Sequence, residues 1–189
     1  CLLLDLPEIR PETLHEKSKW AMAEIEGICG GRFVFYGGGK VTFKTGTTEY
    51  SANSMAEGFR KAGILSRLLE TGAIQPGVSG PLFWDEPESN LNPKLMKMLV
   101  QILLELSRNG QQIILATHDY VLLKWFDLLM DKGKDDHVRF HSLYRNRDTL
   151  EIKAASTDDY LKITPNPIDE AFGFLIDQEI ENNMGGLGK

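Results

Sequence analysis

Two adjacent carboxylates, Asp85 and Glu86, close the short apolar run Leu82-Phe83-Trp84 and are followed at once by Pro87. Successive side chains of a strand point to opposite sides, so one carboxylate at its end can hold a hydrated Mg²⁺ while its neighbour faces an attacking water. Hydrolysis of a phosphoanhydride needs that division of labour. A second apolar run, residues 112–116, ends in Thr117-His118-Asp119. If the two runs are neighbouring strands, His118 lies within reach of the same phosphate. Glu57-Gly58-Phe59-Arg60-Lys61 opens a helix, whose bare N–H groups and positive dipole end suit a phosphate presented from outside. His15, His137 and His141 show no zinc-ligand spacing.

The elements that must position these residues follow from periodicity and punctuation. Residues 12–28, with Leu14, Ala21, Met22, Ile25 and Ile28, read as an amphipathic helix ending at Gly30-Gly31. Residues 33–36 and 41–43 form a hairpin across Gly37-Gly38-Gly39, and a further turn follows at Thr45-Gly46-Thr47. Residues 55–71 repeat apolar side chains at helical spacing, and a breaker-rich loop runs from Gly72 to Pro81. The runs at 82–84 and 112–116 carry the pattern of strands buried on both faces. Between them Asn92-Pro93 caps the best-marked helix, with Leu95, Leu99, Ile102, Leu103 and Leu106 on one face before Gly110. Strand, helix, strand, helix with short loops predicts parallel strands joined by right-handed crossovers. A second hairpin is expected over residues 138–144 and 150–154, turning at Asn146-Arg147-Asp148. A last helix is expected from Asn166-Pro167, with Asp169 in a capping-box-like position and Ile168, Phe172, Leu175 and Ile176 buried.

The order and spacing of four segments resemble the second half of an ABC-type ATPase head: Glu57 to Lys61, Leu82 to Pro87, Ser89-Asn90-Leu91-Asn92-Pro93, and Ala116 to Asp119. More narrowly, the chain from about Leu14 onward is similar to prokaryotic AAA-type ATPases grouped with RecF, SMC and the overcoming-lysogenisation-defect proteins. Ser142-Leu143-Tyr144-Arg145 and Asn166 to Phe172 look like those proteins rather than transporter subunits. The resemblance implies an α/β P-loop NTPase fold of ABC type, here its C-terminal lobe, with parallel core strands plus antiparallel hairpins. It implies Asp85 as the Walker B aspartate holding Mg²⁺, Glu86 as general base and His118 as the switch histidine of an ATP hydrolase. It implies a signature motif at Glu57 and Gly58 that receives the γ-phosphate of a partner's ATP in a homodimeric sandwich. The signature serine position holds Ala56, so either that hydroxyl contact is lost or the alignment shifts by two to Ser54. Asn92 replaces the aspartate usual in the loop that touches the opposing subunit. Relatives of this kind work beside nucleases or on DNA, in DNA repair or phage defence. A non-hydrolysing interaction domain that keeps the architecture remains the alternative.

One motif is absent. A phosphate-cradling loop needs G-x-x-x-x-G-K-[ST] between a strand and a helix. Gly37-Gly38-Gly39-Lys40 continues into Val41, and Gly185-Gly186-Leu187-Gly188-Lys189 has Asn183 at the first glycine position. The lobe carrying that loop is therefore expected upstream or on another chain, and the first residue, Cys1, fits an internal start. The expectation is one ATPase domain fragment over 1–189, a helical and signature region at 1–72 and the Walker B, D-loop, switch-histidine and C-terminal region at 73–189. Composition agrees with one globular unit: 42% hydrophobic, 25% charged, net charge −6. That charge gives no broad attraction to a phosphodiester backbone. Cys1 and Cys29 alone, without patterned spacing, suggest free thiols in a cytoplasmic, reducing setting. No apolar run approaches the roughly 20 residues needed to span a bilayer.

Overall fold

A computed structural model describes residues 5–38, 40–146 and 149–185. The expectations that fell on Cys1, Gly39, Arg147, Asp148 and the tail at 186–189 lie outside the described residues. The elements run α1 (Glu16–Cys29), β1 (Arg32–Phe35), β2 (Val41–Thr45), β3 (Thr48–Ser51), α2 (Glu57–Glu70), β4 (Leu82–Asp85), α3 (Pro93–Arg108), β5 (Ile113–Ala116), α4 (Tyr120–Leu129), β6 (Phe140–Arg145), β7 (Ile152–Thr157) and α5 (Pro167–Gly185). The fold is α/β, with β4 and β5 parallel and two antiparallel sheets, β1-β2-β3 and β6-β7. This is the arrangement expected from the sequence.

Helix α3 forms the centre. Asn92 accepts a hydrogen bond from the Lys94 N–H at 3.0 Å, and Pro93 occupies the first turn, where its missing N–H costs nothing. Past its C-terminus Gly110 takes a φ of 91° that a side chain would resist. Burial extends beyond the single face expected, because Met96, Met98, Val100 and Leu104 are buried as well as the leucines. Helix α3 is flanked by α1 and α4, and Leu82, Trp84, Ile113 and Leu115 of β4-β5 pack against the core cluster to which it belongs. Each fully buried aliphatic side chain contributes on the order of 1.5–3 kcal/mol, so this helix holds the core together.

Four expectations need correction. Helix α1 begins at Glu16, not at 12, because residues Pro11–Thr13 form a separate 3₁₀ turn and the His15 ring caps the helix by accepting from the Lys17 N–H at 3.1 Å. Strands β4 and β5 are buried on one face only. Phe83 and Ile114 are 68% and 43% exposed, since the parallel pair turns only its inner face to the core. Helix α5 likewise leaves most of its apolar residues in solvent. Phe172 stacks on Tyr120 with ring centroids 4.2 Å apart, but Leu175 and Ile176 are 60% and 47% exposed. Periodicity marks a face suited to burial and does not say whether the chain supplies the cover. The second hairpin lies about two residues later than expected. No described helix is long and apolar enough to cross a membrane.

The edges of the core are pinned by polar side chains. Buried Gln111 accepts from the Ser79 hydroxyl at 2.7 Å and donates to the Gly80 carbonyl at 2.8 Å, fastening the entry to β4 beside the start of β5. Arg108, at the end of α3, grips Asp136 with two hydrogen bonds of 2.7 and 2.6 Å. Burial alone would raise the Asp136 carboxyl pKa, but the Arg108 guanidinium and the Asp131 N–H reverse that and hold it below the ordinary aspartate value. A depressed folded pKa contributes stability above the unfolded value and loses it as pH falls through the folded one. Stability should therefore decline below about pH 4, and Asp136→Asn should flatten that decline. The same variant should cost about 1.5–3 kcal/mol at neutral pH, because Arg108 loses its charge-assisted bonds to Asp136 and keeps only Glu105, as urea titrations at several pH values would measure.

Candidate active site

The register of β4 and β5 sets the site. Asp85 is paired with Ala116, and the Glu86 N–H donates to the Ala116 carbonyl at 2.8 Å, carrying the pairing one residue past the strand. Glu86 therefore emerges beside the Thr117-His118 segment. His118 Nδ1 lies 3.1 Å from Glu86 Oε1, and both side chains are open to solvent. Asp85, on the outer face of β4, is exposed next to them. Both sequence-predicted catalytic residues, Glu86 and His118, thus meet at the C-terminal edge of the parallel pair with Asp85 adjoining. This edge is where ligands of open α/β sheets gather.

The direction of Glu86 has a different cause from the one expected. Strand alternation stops at Asp85, and Glu86 adopts a φ of 45°. A non-glycine residue in the left-handed region is costly, so other contacts must enforce it. Lys61, from α2, does so by donating to the Glu86 carbonyl at 2.8 Å. The turn is closed by the Ser89 N–H, which donates to that same carbonyl at 3.1 Å.

Residues 86–92 are held from two sides. On one side Asn90, itself at a φ of 61°, donates to Glu57 Oε2 at 2.9 Å and so ties the loop to the start of α2. On the other, the Thr117 hydroxyl donates to buried Glu88 at 2.6 Å and accepts from the Asp119 N–H at 3.0 Å. Asp119 in turn caps α4 by accepting from the Leu122 N–H at 2.6 Å. Lys61, Glu88, Asn90 and Thr117 were not singled out from the sequence. Lys61, Asn90 and Thr117 stood within the motif segments without a role of their own, and Glu88 showed only as the second glutamate after Asp85.

The signature segment packs against the 89–92 loop. Gly58 is buried, and a Cβ there would lie 2.5 Å from the Asn90 carbonyl oxygen and 2.9 Å from the Leu91 Cα. The glycine is required because the 89–92 backbone crosses α2 at that point. Ser54 donates its hydroxyl proton to the Ser51 carbonyl at 2.6 Å within its own turn. Ala56 is the N-cap of α2 and makes no side-chain capping bond.

Among the described residues no cluster of three or more His, Cys, Asp or Glu side chains could hold a metal ion. Mg²⁺ in nucleotide sites is held by one or two carboxylates plus the phosphates themselves, so the lone exposed Asp85 has the right donor chemistry for that mode.

Comparison with known proteins bears on the fold. Residues 42–124, from β2 into α4, match the family model described as "AAA domain, putative AbiEii toxin, Type IV TA system". No curated protein matches the chain by sequence. Among solved structures, the chain is similar to an SMC ATPase described for ATP-driven dimerisation and DNA-stimulated activation. That match has TM-score 0.52 and 15% identity and covers 90% of this chain and 98% of that one. An Smc head bound to the C-terminal winged-helix domain of ScpA matches with TM-score 0.53 and 16% identity, over 77% of this chain and 42% of that one. The Smc head with coiled coil and joint from Pyrococcus yayanosii matches with TM-score 0.55 and 17% identity, over 85% and 29%. The chain thus spans less than half the length of these last two. It has the fold of an ABC-type ATPase head. The family match is confined to residues 42–124, and the likeness to SMC heads is one of fold.

Because a Cβ at position 58 meets backbone rather than a flexible side-chain end, Gly58→Ala should destabilise the fold by about 1–3 kcal/mol. Thermal melts would measure the loss. Amide exchange should quicken at residues 89–92 before it does in α3.

Proposed function

We propose that this chain supplies the acidic and histidine half of an ATP-hydrolysing site, and that the full-length protein uses hydrolysis as a dimerisation-coupled switch. The observation that carries the reading is the Glu86–His118 pair, 3.1 Å apart at the end of the parallel strands with Asp85 adjoining. Asp85 would hold Mg²⁺ through a carboxylate oxygen, and the ion, when bound with ATP, supplies neutralisation of phosphate charge. Glu86 accepts a proton from the attacking water on a carboxylate oxygen. His118 can steady that carboxylate by donating from Nδ1, or in its other tautomer donate from Nε2 to a γ-phosphoryl oxygen, since a neutral imidazole carries one N–H. Chemistry of this type is mostly positioning and charge stabilisation, so residues that fix the pair matter as much as the pair.

The rest of the site comes from elsewhere. A phosphate loop is missing from this sequence, and the lobe bearing it would cover the exposed Phe83 and Ile114 face of β4-β5. The start of α2, flanked by Ser54, Glu57 and Gly58, would face the nucleotide of a second head in a homodimer. Its positive dipole end and the uncapped N-terminus at Ala56 support that role. The SMC ATPases described with DNA-stimulated activation support a DNA partner; a nuclease partner and a cytoplasmic task in DNA repair or phage defence are the further part of this proposal.

In the full-length protein Glu86→Gln should retain ATP binding while turnover falls by a factor of about 10²–10⁴, since an amide holds a water without taking its proton. An ATP-bound dimer should accumulate. Phosphate release and light scattering decide it, and near wild-type hydrolysis would remove Glu86 as the base. The 189-residue chain alone should show no tight Mg-ATP binding in calorimetry. Low-micromolar binding there would mean that the phosphate contacts lie within this sequence after all.

A further inference from the structure

The Glu86–His118 pair does not explain its own geometry. Both side chains are largely in water, at 47% and 77% exposure, and an exposed pair of this kind has little power to hold two loops at a fixed separation. Directly behind it lies a buried link. Glu88 is only 6% exposed, and its Oε1 accepts from the Thr117 hydroxyl at 2.6 Å. Thr117 precedes His118, and the same hydroxyl oxygen accepts from the N–H of Asp119, which follows it. A hydroxyl has one proton. Here it goes to Glu88 while a lone pair takes the Asp119 amide, so the side chain before His118 and the peptide after it are both anchored to one buried carboxylate.

Glu88 is an expensive way to fill that space. Its Oε2 is buried with no hydrogen-bond partner among the described residues. A buried carboxylate oxygen left unpaired is destabilising, and an apolar side chain of similar volume would pack there without that cost. Packing alone therefore does not account for the residue. Its place in the chain does, because Glu88 stands two residues after Glu86, in a loop whose backbone is already turned by the positive φ at Glu86 and Asn90.

We propose that Glu88 is a positioning residue which, through Thr117, sets the separation of the Glu86 and His118 loops. The inference rests on the proposed roles of Glu86 and His118, yet its primary readout does not depend on turnover. In the full-length protein Thr117→Val keeps the shape and removes the hydroxyl, whereas Thr117→Ser keeps the hydroxyl. The His118 ring resonances, assigned by their loss in His118→Gln, should move in Thr117→Val and return to the wild-type position in Thr117→Ser. The kcat for ATP should fall about tenfold or more in Thr117→Val with KM within about twofold, and recover to within about threefold in Thr117→Ser. Glu88→Gln keeps an oxygen to accept from Thr117 and should behave like Thr117→Ser, while Glu88→Leu should behave like Thr117→Val. If Glu88→Leu fails to fold, the valine and serine pair at position 117 still decides the matter. Unmoved His118 ring resonances in Thr117→Val, with only a lowered melting temperature, would overturn the proposal. Wild-type turnover in Glu86→Gln would instead remove the reading of Glu86 as base, and the ring resonances would still test the link.

Discussion

The pairing of two four-residue parallel strands is the constraint on which the site depends. Asp85 opposite Ala116, extended by the Glu86 N–H to the Ala116 carbonyl, fixes where both following segments leave the sheet. A shift of one residue would turn Asp85 to the inner face and bring Phe83 against α3. The inward Leu82, Trp84, Ile113 and Leu115 prevent that slip, since all four pack on the core that α3 organises. Hydrophobic burial thus sets the register, and the register sets which polar groups meet at the strand ends.

Beyond the strands, the backbone is held by polar contacts rather than by regular structure. Two left-handed residues, Glu86 and Asn90, stand within one loop, each costing on the order of 1–3 kcal/mol. Each is offset by a specific donor or acceptor from α2: Lys61 holds the Glu86 carbonyl, and Glu57 holds the Asn90 amide. The loop is thereby kept close enough to α2 that only glycine fits at position 58. Strain, clamps and close approach are three aspects of one packing problem.

This division explains what could be read from the sequence. The central helix was legible because its signals are local: Asn92 and Pro93 at the start, Gly110 at the end, and leucines at the helical period between. The parallel pair was legible from two short apolar runs separated by one helix, and with it the meeting of Glu86 and His118. The reason for Gly58 was not, because it is a crossing by residues more than thirty positions away. The Glu88–Thr117 bond was hidden for the same reason, at a separation of 29. The exposure of Phe83, Ile114, Leu175 and Ile176 was missed because an apolar pattern specifies a preference for burial, and the chain must still provide the covering surface.

Under the proposed reading, the same clamps couple the surface to the chemistry. Glu57 stands at the end of α2 that would meet a second head, and it holds Asn90, four residues from Glu86. Lys61, one turn further along α2, holds the Glu86 carbonyl itself. A displacement of the α2 start therefore reaches Glu86 by two contacts on one rigid helix, and reaches His118 through Glu88 and Thr117. Coupling of this kind needs an element with two discrete arrangements. The 86–92 loop is suited to be that element, because its two left-handed residues are held by side-chain bonds that can be exchanged, whereas the strands and α3 on either side are fixed by burial.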